Sequence, residues 1–131
     1  MSELNIDIVS LFSVFTRAWS LHSSSKWTKE NPAKGQCGVT SLVIHDLLGG
    51  DIVKTPAAGG WHFYNRINDE YHDLTASQFD QPIPYQHIPS SRSEAFQDTN
   101  AQQYVYLKEQ VKINLLHKWG EVSESCSYYP R

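Results

Sequence analysis

A chain of 131 residues has the length of one domain, and 40% hydrophobic with 19% charged residues is the composition of a folded protein, unlike that of a disordered one. A formal charge of −3 with scattered lysines and arginines argues against nucleic acid as a partner, and no run approaches the ~20 apolar residues that span a bilayer. Two cysteines, Cys37 and Cys126, make no disulfide framework, and the apolar stretch 6–15 is broken by Asp7, Ser10 and Ser13, so the expectation is a soluble, cytoplasmic protein with free thiols.

The first helix is predicted from Ile8, Leu11, Phe12, Phe15, Trp19 and His22, spaced by three and four on one apolar face. Asn5 or Asp7 would cap it. Residues 23–27 end it and residues 30–35 continue as loop, with Trp27 expected to cover the core. A second helix begins at or near Cys37 and stops at Gly49-Gly50, because glycine accepts the left-handed conformation past a last turn. Its apolar residues Val39, Leu42, Val43, Ile44, Leu47 and Leu48 cover more than half its circumference, which predicts a largely buried helix.

Residues 51–55 read as a short strand and residues 56–60 as a breaker-rich connection. The aromatic run 61–67 and residues 70–74 then form a hairpin about Asn68-Asp69. Thr75 and Gln78 have the spacing of a capping box and predict a short helical turn. Three prolines make residues 82–89 extended or irregular, and residues 90–100 are polar and expected to be mobile. A last helix is predicted over residues 101–119, with Tyr104, Leu107, Val111 and Leu115 on one face and Gly120 as its stop.

The chemistry centres on Cys37. At a helix start, unpaired N–H groups and the positive dipole end would stabilise a thiolate, and the same groups could hold an oxyanion. Gly35 permits a tight turn into the helix, and Gly38 leaves the backbone open to a substrate carbonyl. Gln36 either supports that oxyanion, caps the helix or faces solvent. The alternative for Cys37 is a small buried hydrophobe.

If Asn68 and Asp69 are a two-residue turn, Ile67 pairs with Glu70, Tyr64 lies opposite Asp73, and His62 lies opposite Thr75. His62 and Asp73 then share a face as diagonal neighbours roughly 7–8 Å apart. The carboxylate would orient an imidazole able to take the cysteine proton, while His72 faces away. Each also has a plain structural role open to it, His62 as a satisfied sheet histidine and Asp73 as a capping carboxylate. No close paired spacing of Cys and His indicates a metal site, and no cofactor is expected.

Gly35-Gln36-Cys37 opening a helix, His62 in an aromatic strand followed by Asn65, and Asp73 in the next strand resemble a pared-down transglutaminase-like core. The fuller pattern resembles the small bacterial YunG-like family: Gly-Gln-Cys-Gly-Val-Thr-Ser-Leu from Gly35, the Gly49-Gly50 end, Trp61-His-Phe-Tyr-Asn65, and Asp73-Leu-Thr75 leading to Gln78-Phe79. The match covers residues 32–79. It implies an α+β, papain-like or transglutaminase-like domain over residues 1–131, with a cysteine-bearing helix on a small antiparallel sheet and helices at both ends. It further implies Cys37 as nucleophile, His62 as general base and acid, Asp73 as orienting acid, and an acyl-thioenzyme formed from a peptide, amide, ester or thioester. A catalytically silent module of the same fold, binding a peptide or protein partner in the cleft, is the competing expectation. Oligomeric state has no signature in the sequence.

Overall fold

The computed structural model describes residues 7–123, with side chains as far as residue 117. Helix α1 spans Ile8–Ala18 and is capped by Asp7, whose Oδ1 accepts from the Ser10 N–H at 2.7 Å. Its buried seam is Leu11, Val14, Phe15 and Ala18, a narrower stripe than predicted, and Phe12 is 45% exposed. The helix ends before Trp19, which leaves in an extended conformation and turns its indole into the core. There Nε1 donates to Thr40 Oγ1 at 2.9 Å, the partner that a buried indole requires. His22, predicted on the core face, is exposed.

Helix α2 spans Cys37–Leu48, and every residue from 37 to 44 is buried. The chain turns into it at Gly35, where φ is +74° and a Cβ would lie 2.4 Å from Ser24 Oγ. Gly49, at φ +75°, ends it as predicted.

Four antiparallel strands follow: β1 (Asp51–Ala57), β2 (Gly60–Ile67), β3 (Glu70–His72) and β4 (Ile88–Pro89), in the order β3-β2-β1-β4. Strand β1 runs through Pro56, beyond its predicted end. Counting from the Ala57–Gly60 pair, the nitrogen of Pro56 points away from β2, and β4 reaches only Val53 and Lys54. A missing N–H on that edge leaves no partner unpaired. At the second hairpin Asn68 (φ +52°) and Asp69 (φ +66°) make the turn, and Ile67 pairs with Glu70 in the predicted register.

Residues 90–100, expected to be mobile, are organised. Ser91 caps the short helix α3 (Arg92–Phe96) by accepting from the Glu94 N–H at 3.1 Å, and Ala95 is fully buried. Asn100 accepts from the Gln103 N–H at 2.8 Å at the start of α4 (Ala101–Ser123). That helix continues through Gly120, whose cost inside a helix is only about 1 kcal/mol relative to alanine.

The architecture is α+β, with α2 at its centre. One apolar cluster joins α2 to α1 and α4 through Leu11, Phe15, Val43, Leu107 and Val111. A second sets Cys37 and Leu42 against Ile52, Phe63 and Ala95 of the sheet and α3. Asn65, on the same side of β2 as Phe63, donates from Nδ2 to the Ser41 carbonyl of α2 at 3.1 Å. The opposite sheet face is covered by the proline-rich segment: the Gln86 and His87 N–H groups donate to Thr55 Oγ1 and Tyr64 Oη, each at 3.0 Å. Among the described residues no helix is long and apolar enough to cross a membrane.

Candidate functional site

The β2–β3 pairing ends at Asn65 opposite His72, so the next step outward sets Tyr64 against Asp73, with His62 diagonal to it. The two side chains meet: His62 Nε2 lies 2.7 Å from Asp73 Oδ2. Tyr85 Oη donates to the same oxygen at 2.6 Å, while the Thr75 N–H and Oγ1 donate to Oδ1 at 3.1 and 3.3 Å. The imidazole is 1% exposed and held by ring contacts, edge-on to Phe79 at 4.9 Å and stacked on Tyr64 at 5.9 Å. A carboxylate only accepts, which assigns the proton to Nε2 and the lone pair to Nδ1. Among the described residues that buried Nδ1 has no hydrogen-bond partner.

Thr75 and Gln78 do not form a capping box. Thr75 makes no side-chain cap to the 3₁₀ turn Ala76–Gln78 and serves Asp73 instead. Gln78 Oε1 accepts from the Gly35 N–H at 3.3 Å, tying this turn to the approach to α2.

Cys37 is the first residue of α2 and 7% exposed. Its sulfur does not hydrogen-bond His62; it lies 3.4 Å from Asp98 Oδ2, and that oxygen also accepts from the Gly38 N–H at 3.0 Å. Burial first, and then the Asp98 charge, push the Cys37 thiol well above its ordinary range, with a hydrogen bond from the Phe63 backbone working the other way. The thiolate expected at a helix start is therefore not the resting state. Desolvating a thiolate costs more than the helix end returns, and Asp98 already claims the N–H that would have served it. Burial likewise raises the Asp98 carboxyl, against the lowering effects of the Gly38 N–H, the Cys37 thiol, Lys26 and His62. Asp73 raises the Cys37 thiol further through its charge, so the two pairs share one electrostatic neighbourhood.

Gln36 neither caps α2 through its side chain nor faces solvent: it is fully buried, and among the described residues both amide atoms lack hydrogen-bond partners. Gly38 is occupied from outside, since a Cβ there would lie 2.6 Å from Asp98 Oδ2 and 2.8 Å from the Ala95 carbonyl. Beside it a cleft of about 270 Å³ is lined by Lys54, Trp61, Phe63, Glu94, Gln97 and Asp98.

Asp98 and Tyr85 were not legible as site residues. Asp98 contacts Cys37 across 61 positions from a segment without apolar periodicity. The available signal was Ser91 with Glu94 and Asn100 with Gln103, two helix starts that make residues 97–100 a short, fixed connection. Of the other described histidines, His22 lies against Tyr106, His45 beside Arg92, His72 beside Glu70, and His87 on Tyr64. Among the described residues no group of three or more His, Cys, Asp or Glu is arranged to hold a metal ion. Cys126 lies outside the described residues.

The sequence model of the family described as YunG protein matches residues 7–116. The chain is 59% identical over 96 residues to a Bacillus subtilis (strain 168) protein named "Uncharacterized protein YunG", covering 73% of this chain and 84% of that one. No solved structure matches it.

Proposed function

The chain belongs to the YunG protein family, and from the groups around Cys37 we propose that it acts as a cysteine hydrolase or acyltransferase on a papain-like or transglutaminase-like core. The observation that carries this reading is the buried His62–Asp73 pair at 2.7 Å, its Nδ1 lone pair unspent, on the strand that packs through Phe63 against the helix-start Cys37. Asp73 holds the ring and its tautomer. Nδ1 takes the thiol proton as sulfur attacks the acyl carbon, and the Gly38 N–H receives the developing oxyanion. Collapse expels an amine, alcohol or thiol, which leaves with the proton from His62. Water or an acceptor amine then attacks the thioester and regenerates the thiol. Because the resting thiol is neutral, proton removal accompanies attack, and no preformed thiolate–imidazolium pair is involved.

One test uses the Cys126→Ser protein, a panel of small thioester and activated amide donors, and intact-mass detection of acylated protein. Acylation at Cys37 is expected, absent in Cys37→Ala and slowed on the order of 10²–10⁴-fold in His62→Ala. No adduct with any donor, or an adduct indifferent to His62, refutes the reading. The Cys37–Asp98 contact favours a second reading, a catalytically silent module that binds a peptide or protein partner in the cleft. It predicts retention of a peptide without acylation, unchanged in His62→Ala.

A further inference from the structure

Asp98 sits where the proposed chemistry needs room. Its Oδ2 bridges the Cys37 sulfur and the Gly38 N–H, the two groups that would meet the carbon and the oxygen of a substrate carbonyl. A carboxylate oxygen at 3.0 Å from a helix-start N–H has the charge and position of the oxyanion this N–H would receive. The residue after the cysteine has to be glycine for this contact to exist, because any Cβ would collide with Oδ2, with Asp98 Cβ at 2.7 Å and with the Ala95 carbonyl.

We propose that Asp98 is an internal gate, a carboxylate standing in for the acyl oxygen, which holds Cys37 latent until a substrate carbonyl takes its place on the Gly38 N–H. The proposal rests on the reading of Cys37 as a nucleophile and adds its regulation. The backbone carrying the gate does not have to move. Ala95 anchors α3 in the apolar cluster with Cys37, and the Ala95 carbonyl accepts the Asp98 N–H at 3.0 Å, so the backbone is pinned and the side chain is the moving part. Much of Asp98 is exposed, and it borders the 270 Å³ cleft, so a rotated carboxylate has water to receive it and the substrate a route to the vacated N–H. Among the described residues two buried polar groups have no hydrogen-bond partner, His62 Nδ1 and the Gln36 amide, the latter at the N-terminal end of α2. Leaving such atoms unpaired is costly unless another state of the site uses them.

The experiment is alkylation of Cys37 by iodoacetamide, a neutral reagent, at one fixed pH in the Cys126→Ser background, with folding checked by circular dichroism. Asp98→Asn keeps the shape and removes the charge; Asp98→Ala removes both. Each is expected to raise the second-order rate on the order of tenfold, since both remove the neighbouring negative charge that raises the thiol pKa, and Asp98→Ala also frees the N–H. Gly38→Ala evicts the same carboxylate from the other side and supplies the same readout should the Asp98 variants not fold; its rate is expected to rise too. Unchanged or slower alkylation in the folded variants overturns the gate, and a slower rate would mark Asp98 as an activator of the thiol. Acylation by thioester donors, measured on the same variants, separates the two ideas. Faster alkylation without acylation keeps Asp98 as the group that suppresses Cys37 but discards the hydrolase reading and with it the substrate carbonyl as opener, whereas acylation with unchanged alkylation keeps the hydrolase reading and discards the gate.

Discussion

At the scale of single residues, Asp73 draws the most hydrogen bonds in the site: His62, Tyr85 and both donors of Thr75 converge on it. Tyr85 is the contributor that can be removed with least disturbance. Burial, then the hydrogen bond to Asp73, raise its pKa, so it remains a phenol and a donor. Tyr85→Phe deletes that donor and leaves the ring packed against Tyr64 and His87. The expected loss is about 1 kcal/mol in urea unfolding, at the low end for a bond to a charged group because Tyr85 is 36% exposed. Under the proposed chemistry the same variant positions Asp73 less firmly. Acylation should slow, with its pH profile displaced and not merely its amplitude reduced. Loss of stability with an unaltered profile would confine Tyr85 to a structural role.

At the scale of elements, the second hairpin sets which side chains of β2 and residue 73 face one another. A slip of one residue would send His62 and Asp73 to opposite faces. What prevents the slip is the pair of positive φ angles at Asn68 and Asp69, which the short polar side chains tolerate and β-branched ones do not. Asp69→Val is expected to cost about 1–2 kcal/mol of stability from backbone strain. Asp69→Gly should be neutral or slightly stabilising, because the exposed ion pair it loses with Arg66 is worth little. Paired denaturation curves check the contrast; equal effects of the two substitutions would mean that the turn does not enforce the register. The α2 helix is tied to the same strand from the other side by Asn65 and Phe63, so the cysteine and the histidine are positioned by one element through its two faces.

At the scale of the molecule, burying Cys37 ties global stability to pH. A thiol pKa raised in the folded state means that the native protein holds a proton which the unfolded chain releases above about pH 8.5. The contribution is therefore complete below that value and is lost as pH rises beyond it. Cys37→Ala should flatten the fall in unfolding free energy between about pH 8.5 and 10, before the tyrosines, two of which are also raised, begin to titrate. An unchanged slope would show that the thiol is not buried in solution. The helix–strand succession as far as the second hairpin, the glycine entry and glycine stop of α2, the hairpin register and the His62–Asp73 pair were readable in advance. Each depends on periodicity or turn chemistry acting over a few neighbouring positions. The seam of α1, the order of residues 90–100, the buried Gln36 and the Asp98 contact were not, because they arise where distant segments close on one another. The ionisation of Cys37 belongs with these. A helix start alone favours a thiolate, but desolvation by Phe63, Leu42 and Ala95 and a carboxylate 61 residues away reverse the sign.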